Sequence, residues 1–190
     1  MKIINKISKN YLFITILVLI LLYSIYLDSY ITFLPTIPIY PNNLDEAELV
    51  YKETISRSKD DEMFFHKTNK TISSAFEPYV NESIEQLDEI SMRYNSIIYF
   101  FKYSINRARP EQVNRNIKPI DTSTAQTPAY PAGHALQAQV LANYLSKKYP
   151  EKKELFNKLS LECDTTRVKA GLHYFSDGEF SRKIVKLLNI

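Results

Sequence analysis

The sequence is poor in the residues that most often announce chemistry. It has one cysteine, three glycines and three histidines in 190 residues. A lone cysteine, Cys163, excludes an internal disulfide and a multi-cysteine metal site. So few glycines, with no long β-branched alternation, argue against an all-β chain full of tight turns. The formal net charge is only +3, and without a basic stripe or a recognised module there is no case for nucleic acid. No internal repeat or low-complexity tract interrupts the chain. Charged residues make up 24% and hydrophobic residues 45%. That is ordinary globular usage, so one folded domain is expected beyond any targeting segment.

What is present begins with an uncharged apolar run over residues 11–27. It lies at the short end for a membrane helix, which takes roughly 20 residues. Tyr30 to Leu34 can extend it past Asp28 into the interface. Lys2, Lys6 and Lys9 precede it and the next basic residue is Lys52. Positive-inside logic then places the N-terminus in the cytoplasm and the rest of the chain across the membrane. Residues 1–34 are therefore expected to be a single-pass anchor, with a cleaved signal peptide as the alternative. Pro35, Pro38 and Pro41 read as a stiff stalk over residues 35–44.

From residue 45 to 190 the pattern is helical, and an all-α domain is expected. Asn43 or Asp45 can cap a first helix to about Ser58, and Asp60 or Asp61 can open a second through about Phe76. Ile84, Leu87, Ile90, Tyr94, Ile97, Ile98, Phe101 and Ile105 keep helical spacing, which predicts one long helix ended by Pro110. Residues 111–131, with three prolines, form one long loop. Helices are predicted from Gly133 to Lys148, from Glu151 to about Leu172, and from about Ser176 to Leu188. Ser176 and Glu179 have capping-box spacing, which would leave the Asp177 carboxylate free.

The scarce residues cluster. All three glycines and two of the three histidines fall within residues 133–178. On a continuous helix Lys102 and Arg109 would project from one face, about 10 Å apart along the axis, and could converge on one anion. Gly133 and His134 open a helix whose N-terminus is an anion site, and His134 can exchange a proton near neutral pH. Arg167 adds a third cation able to grip phosphate oxygens in a bidentate way. Asp177 can accept a hydrogen bond from one ring nitrogen of His173, leaving the other as nucleophile or ligand.

In order and spacing these residues resemble the type 2 phosphatidic acid phosphatase and vanadium haloperoxidase superfamily. Its pattern is K-x6-R-P, then P-S-G-H, then S-R-x5-H-x3-D. Here those motifs read Lys102 to Pro110, Pro131 to His134, and Thr166 to Asp177. The local texture is most similar to the bacterial class A nonspecific acid phosphatases. The resemblance implies a compact helical bundle and a metal-independent phosphomonoesterase without a cofactor, which vanadate would inhibit. Lys102, Arg109, Arg167 and the Gly133 N–H would hold the phosphoryl oxygens. His173 would form a phosphohistidine, Asp177 would orient it, and His134 would serve as acid and then base. Soluble phosphate esters or lipid phosphates such as phosphatidic acid are the implied substrates. The alternatives are a vanadium-dependent haloperoxidase, with vanadate on His173, and a non-catalytic phosphate-binding module.

Two positions depart from the pattern: Ala132 and Thr166 stand where the family has serine. Losing the hydroxyl before the glycine removes a hydrogen bond to a charged group, worth roughly 1.5–3 kcal/mol. Outside the motifs, His66 reads as a partly buried structural histidine. Arg107 and Arg115 could shape substrate entry, but solvated surface cations are the expected reading. Asn69 and Asn81 head glycosylation sequons, relevant only in a eukaryotic lumen.

Overall fold

The computed structural model describes residues 14–16, 18–19 and 39–189. Most of the apolar run expected to be an anchor, and the stalk as far as Pro38, lie outside these residues. Among the described residues no helix is long and apolar enough to cross a membrane, and there is no strand.

Local side-chain chemistry sets the helix starts. Helix α1 (Asn43–Ile55) is capped by Asn42, whose Oδ1 accepts the Leu44 N–H at 2.8 Å. Asn43 and Asp45 fall inside its first turn instead of capping it. Helix α2 (Lys59–Asn69) opens on a capping box: Ser58 Oγ accepts the Asp61 N–H, and Asp61 Oδ2 accepts the Ser58 N–H. It stops at Asn69 rather than running on to Phe76. There Ser73 donates its N–H to Thr71 Oγ1 and its hydroxyl to Asp88 Oδ1, at 3.1 and 2.6 Å. Such local bonds compete with the helical ladder, and a separate short helix α3 (Ser73–Phe76) follows.

The long helix expected between Asn81 and Pro110 is broken twice. Helix α4 (Ile84–Met92) ends at Arg93, and α5 (Asn95–Ile105) restarts from Tyr94. Apolar spacing carries through the break unchanged, so periodicity does not register it. The second break is Asn106, which adopts a left-handed φ of 54° and sends its N–H to the Lys102 carbonyl. Asparagine tolerates that conformation better than most residues. Pro110 therefore opens the short helix α6 (Pro110–Val113) and ends nothing. The segment expected to be one loop holds α6 and a 3₁₀ turn at Ser123–Ala125.

Helix α7 (Gly133–Lys148) occupies its predicted span. Helix α8 (Lys153–Lys169) follows a 3₁₀ turn at Pro150–Lys152. Helix α9 (Phe175–Leu187) starts from Tyr174. The expected Ser176–Glu179 box is not the one that forms, because Asp177 itself accepts the Tyr174 N–H at 3.0 Å.

Helices α7 and α8 share the most extensive contact, and α9, α4 and α5 also pack on α7. One core cluster joins Ile72, Phe76, Leu87, Leu141, Leu145, Phe156 and Cys163. Each such buried side chain contributes about 1.5–3 kcal/mol from burial alone. A second cluster, with Ile98, Leu136, Val140, Ile184 and Val185, fixes α5, α7 and α9 against one another. A third, with Val50, Ile117, Val168 and Tyr174, seats α1 against the end of α8. The three sequence motifs lie on the ends and turns that these clusters clamp.

Candidate active site

Helix α8 ends in a turn that aims His173. The Leu172 N–H reaches the Arg167 carbonyl and the Gly171 N–H reaches the Val168 carbonyl, at 3.1 and 2.9 Å. This pair defines a Schellman motif, with Gly171 at the left-handed position and φ at 77°. A Cβ there would sit 2.9 Å from Ile117 Cγ2 and 3.2 Å from the Pro119 backbone. The turn leaves His173 between α8 and the first turn of α9.

His173 is 4% exposed. Its Nδ1 lies 2.9 Å from Asp177 Oδ2. Asp177 also takes the Tyr174 N–H on Oδ2 and Arg107 Nη1 on Oδ1, the latter at 2.6 Å. Facing a carboxylate that already accepts from Arg107 and the Tyr174 N–H, Nδ1 is the donor nitrogen of the ring and Nε2 carries the lone pair. Nε2 accepts from Arg109 Nη1 at 3.1 Å. Burial, then Arg109, Lys102 and Arg167, hold the His173 pKa well below its ordinary value. The imidazole is neutral and its lone pair is available. Burial pushes Asp177 up and Arg107 pulls it back.

Lys102 and Arg109 reach this point by different routes, not from one helical face. Lys102, on α5, gives its ammonium to the Pro128 carbonyl. Arg109 lies beyond the left-handed turn with ψ at 155°, as suits a residue before proline. Its Nε donates to the Thr127 carbonyl and its Nη1 to the Leu172 carbonyl, at 2.9 and 2.7 Å. Both cations are buried.

The N-terminus of α7 forms another wall. Ala132 is the N-cap residue and is fully buried; no side chain caps this end. Gly133 and His134 fill the first turn, where backbone N–H groups lack helical partners. His134 is half-buried and its Nε2 lies 3.2 Å from the Asn69 carbonyl. Ring desolvation, then Arg167, hold its pKa well below the ordinary value.

One cavity of about 250 Å³ is lined by Lys102, Arg109, Gly133, His134 and His173. Met92, Asn95, Tyr99 and Gln137 also line it. The break between α4 and α5 thus contributes directly to the wall. Asp177 stands behind His173 and does not line the cavity. Arg167 also stands back from it. Its Nη1 donates to Asn69 Oδ1 and its Nη2 to the Thr68 carbonyl, while its buried Nε has no partner among the described residues. Its pKa, lowered to about 10 chiefly by burial, still leaves it charged. Two buried cations and one helix N-terminus line the cavity with a neutral histidine, and Arg167 adds a third buried charge behind it, an arrangement that can hold an anion against a nitrogen lone pair.

Three side chains at this site were not foreseen. Arg107 is fully buried against Asp177 rather than solvated. The physical reason is Asn106: its left-handed turn rotates the next residue inward. Glu46 of α1 pairs with Arg107 and carried no sequence signal. Asn69, met only as a sequon, links Arg167 to Thr122 and Thr124 and offers its carbonyl to His134. Conversely, His66 is exposed rather than partly buried, and Arg115 is exposed as expected. Among the described residues, no three His, Cys, Asp or Glu side chains gather in a way that could hold a metal ion.

No curated protein matches the chain. A family model described as the PAP2 superfamily matches residues 90–184, half of the chain, and that span holds every motif residue from Lys102 to Asp177. The chain belongs to the PAP2 superfamily, whose members in general hydrolyse phosphate esters.

Proposed function

We propose that the protein is a metal-independent phosphomonoesterase of acid phosphatase or phosphatidic acid phosphatase type. The observation that carries this is His173: Asp177 fixes the proton on Nδ1, and Nε2 faces the cavity among Lys102, Arg109 and the α7 N-terminus. A phosphoryl group bound there lies in line with a neutral nitrogen lone pair. Positioning and spread positive charge are what phosphoryl transfer most needs.

In the first step Nε2 attacks phosphorus and the bond from phosphorus to the ester oxygen breaks. His134 gives that oxygen a proton, which releases an alcohol and leaves a phosphohistidine. In the second step His134 takes a proton from water as the water attacks phosphorus. The P–N bond breaks and inorganic phosphate departs. Lys102, Arg109, Arg167 and the Gly133 N–H balance the phosphoryl charge in both steps. Arg109 Nη1 rests on Nε2, so binding turns it from the nitrogen to a phosphoryl oxygen. The dianionic substrate also offsets the cations that hold His134 neutral, which lets that ring take up the proton it must deliver.

Residues 45–190 act as the catalytic domain in this reading. The apolar run over residues 11–27 tethers it as a single-pass anchor, with the N-terminus cytoplasmic and the site on the far side of the membrane. The cavity suits soluble phosphate esters, and the tether keeps lipid phosphates within reach. The test is phosphate release from p-nitrophenyl phosphate and from phosphatidic acid, with vanadate as inhibitor. Acid-labile phosphate on His173 in a quenched reaction is expected. Folded protein that turns over neither ester rules the activity out.

A further inference from the structure

A buried charged cluster lies behind the cavity, and of its members only Asp177 has a role in the three motifs. Arg107 is 0% exposed. Its Nη1 donates to Asp177 Oδ1 at 2.6 Å and to Ser176 Oγ at 2.7 Å. Its Nη2 donates to Glu46 Oε2 at 2.6 Å and its Nε to Asn43 Oδ1 at 2.9 Å. The guanidinium lies between two tyrosine rings, 3.7 Å from the centre of Tyr174 and 4.2 Å from that of Tyr40. Glu46 closes the group: Oε1 accepts the Ser176 N–H at 3.1 Å and Oε2 accepts the Ser176 hydroxyl.

We propose that Arg107 and Glu46 are positioning residues for the chemistry at His173. Glu46 holds Arg107, Arg107 holds the outer oxygen of Asp177, and Asp177 holds the Nδ1–H of His173. Helix α1, outside the family match, thereby reaches the nucleophile through three consecutive charge-assisted bonds. This role rests on the phosphatase reading for its kinetic consequences, though not for its structural ones.

Two features separate this from an ordinary buried ion pair. First, the donors are divided. Tyr174 N–H and His173 share Oδ2, and Arg107 binds Oδ1 by ion pair, so removing it frees the carboxylate plane to turn. Second, Arg107 neutralises a carboxylate that burial would otherwise drive towards its protonated form. A protonated Asp177 cannot hold the Nδ1 proton in place, and the wrong tautomer would face the cavity. The other charged and titratable groups around Asp177 do not replace Arg107. Lys102, Arg109 and the Tyr174 N–H also favour the ionised form of Asp177, each by less than Arg107, while Asp164 of α8 is a like charge that opposes it.

The experiment uses the full chain with Arg107→Met, Arg107→Lys and Glu46→Gln. For Arg107→Met, kcat should fall between about tenfold and hundredfold with KM changed less than about twofold. The acid limb of the pH–rate profile should move to higher pH, because Asp177 then protonates more readily. Arg107→Lys should restore the limb in part, and Glu46→Gln should shift it the same way by less. A purely structural role lowers the melting temperature and scales the profile without moving its limb; that result overturns the proposal. Imidazole ¹⁵N–¹H correlation spectra give a reading independent of turnover. They should show an Nδ1–H tautomer at His173 in the parent and a mixture in Arg107→Met. An unchanged ring spectrum in the variant overturns the proposal even if the protein hydrolyses no ester. If Arg107→Met does not fold, Glu46→Gln carries the same two readings.

Discussion

His173 and His134 line one cavity but are held by very different amounts of structure. His173 is 4% exposed, follows a Schellman turn, and has both ring nitrogens bonded to side chains. His134 is half-buried, stands in the first turn of α7, and its ring bonds, among the described residues, the Asn69 carbonyl. The difference fits the two tasks proposed for them. A nucleophile must meet phosphorus in line, and a small misplacement is costly. A group that first gives and then takes a proton serves two different oxygens, and a looser ring can reach both.

The largest expected effect tests that division. His173→Ala should lower turnover by more than about ten-thousandfold with every ester, since no other side chain can form the intermediate. His134→Ala should cost about a hundred- to ten-thousandfold with an alkyl phosphate, whose alkoxide needs a proton. With p-nitrophenyl phosphate, whose leaving group departs unprotonated, the first step should largely survive. Phosphohistidine should then accumulate and be visible after acid-free quenching. Equal losses for both variants on both esters would erase the distinction between the two histidines.

The two walls also differed in how far the sequence exposed them. Gly171, His173 and Asp177 lie within one short stretch of chain, where spacing alone pairs the carboxylate with the ring. The span of α7 was equally plain, because Pro131 and Gly133 punctuate its start and its apolar face is continuous. What spacing could not carry was any contact made after a change of direction. The left-handed residue at Asn106 turned a supposed shared face of Lys102 and Arg109 into two separate approaches, and it buried Arg107. Glu46 lies on α1, far from Arg107 and Asp177 in sequence, and nothing local marks it. Asn69 shows the same limit, since its backbone carbonyl, not its residue type, meets His134.

An intermediate effect is expected on the looser wall. Ala132 caps α7 without a hydroxyl, and no side chain satisfies that end. Ala132→Ser should supply a donor to a phosphoryl oxygen, and a charged hydrogen bond of roughly 1.5–3 kcal/mol predicts a gain of about tenfold or more in kcat/KM. If the new hydroxyl instead accepts a helix N–H as an ordinary cap, stability should rise by about 1 kcal/mol and kcat/KM should stay level. Paired melting and kinetic measurements separate these outcomes, and the second would mean that α7 presents no serine-dependent anion site.

The smallest effect on turnover belongs to the firm wall, and it concerns stability. Asp164 of α8 packs against Gly178, the residue after Asp177; a Cβ on Gly178 would fall within 2.0 Å of its carboxylate. Asp177 has three donors, whereas Asp164 pairs with Arg182 and leaves Oδ1 buried without a partner. Burial raises the Asp164 pKa from 3.8 to about 6. A carboxyl that binds its proton more tightly folded than unfolded stabilises the fold at low pH. That contribution is lost as pH rises from about 4 through 6, and it amounts to at most about 3 kcal/mol. Asp164→Asn should remove the dependence, because Arg182 is one-third exposed and regains water cheaply. The variant should melt higher than the parent at pH 7, match it near pH 4, and keep kcat within about twofold. A parent whose stability does not fall across that window would place a water at Oδ1 that keeps the folded carboxylate ionised, and the firm wall would then have no weak point.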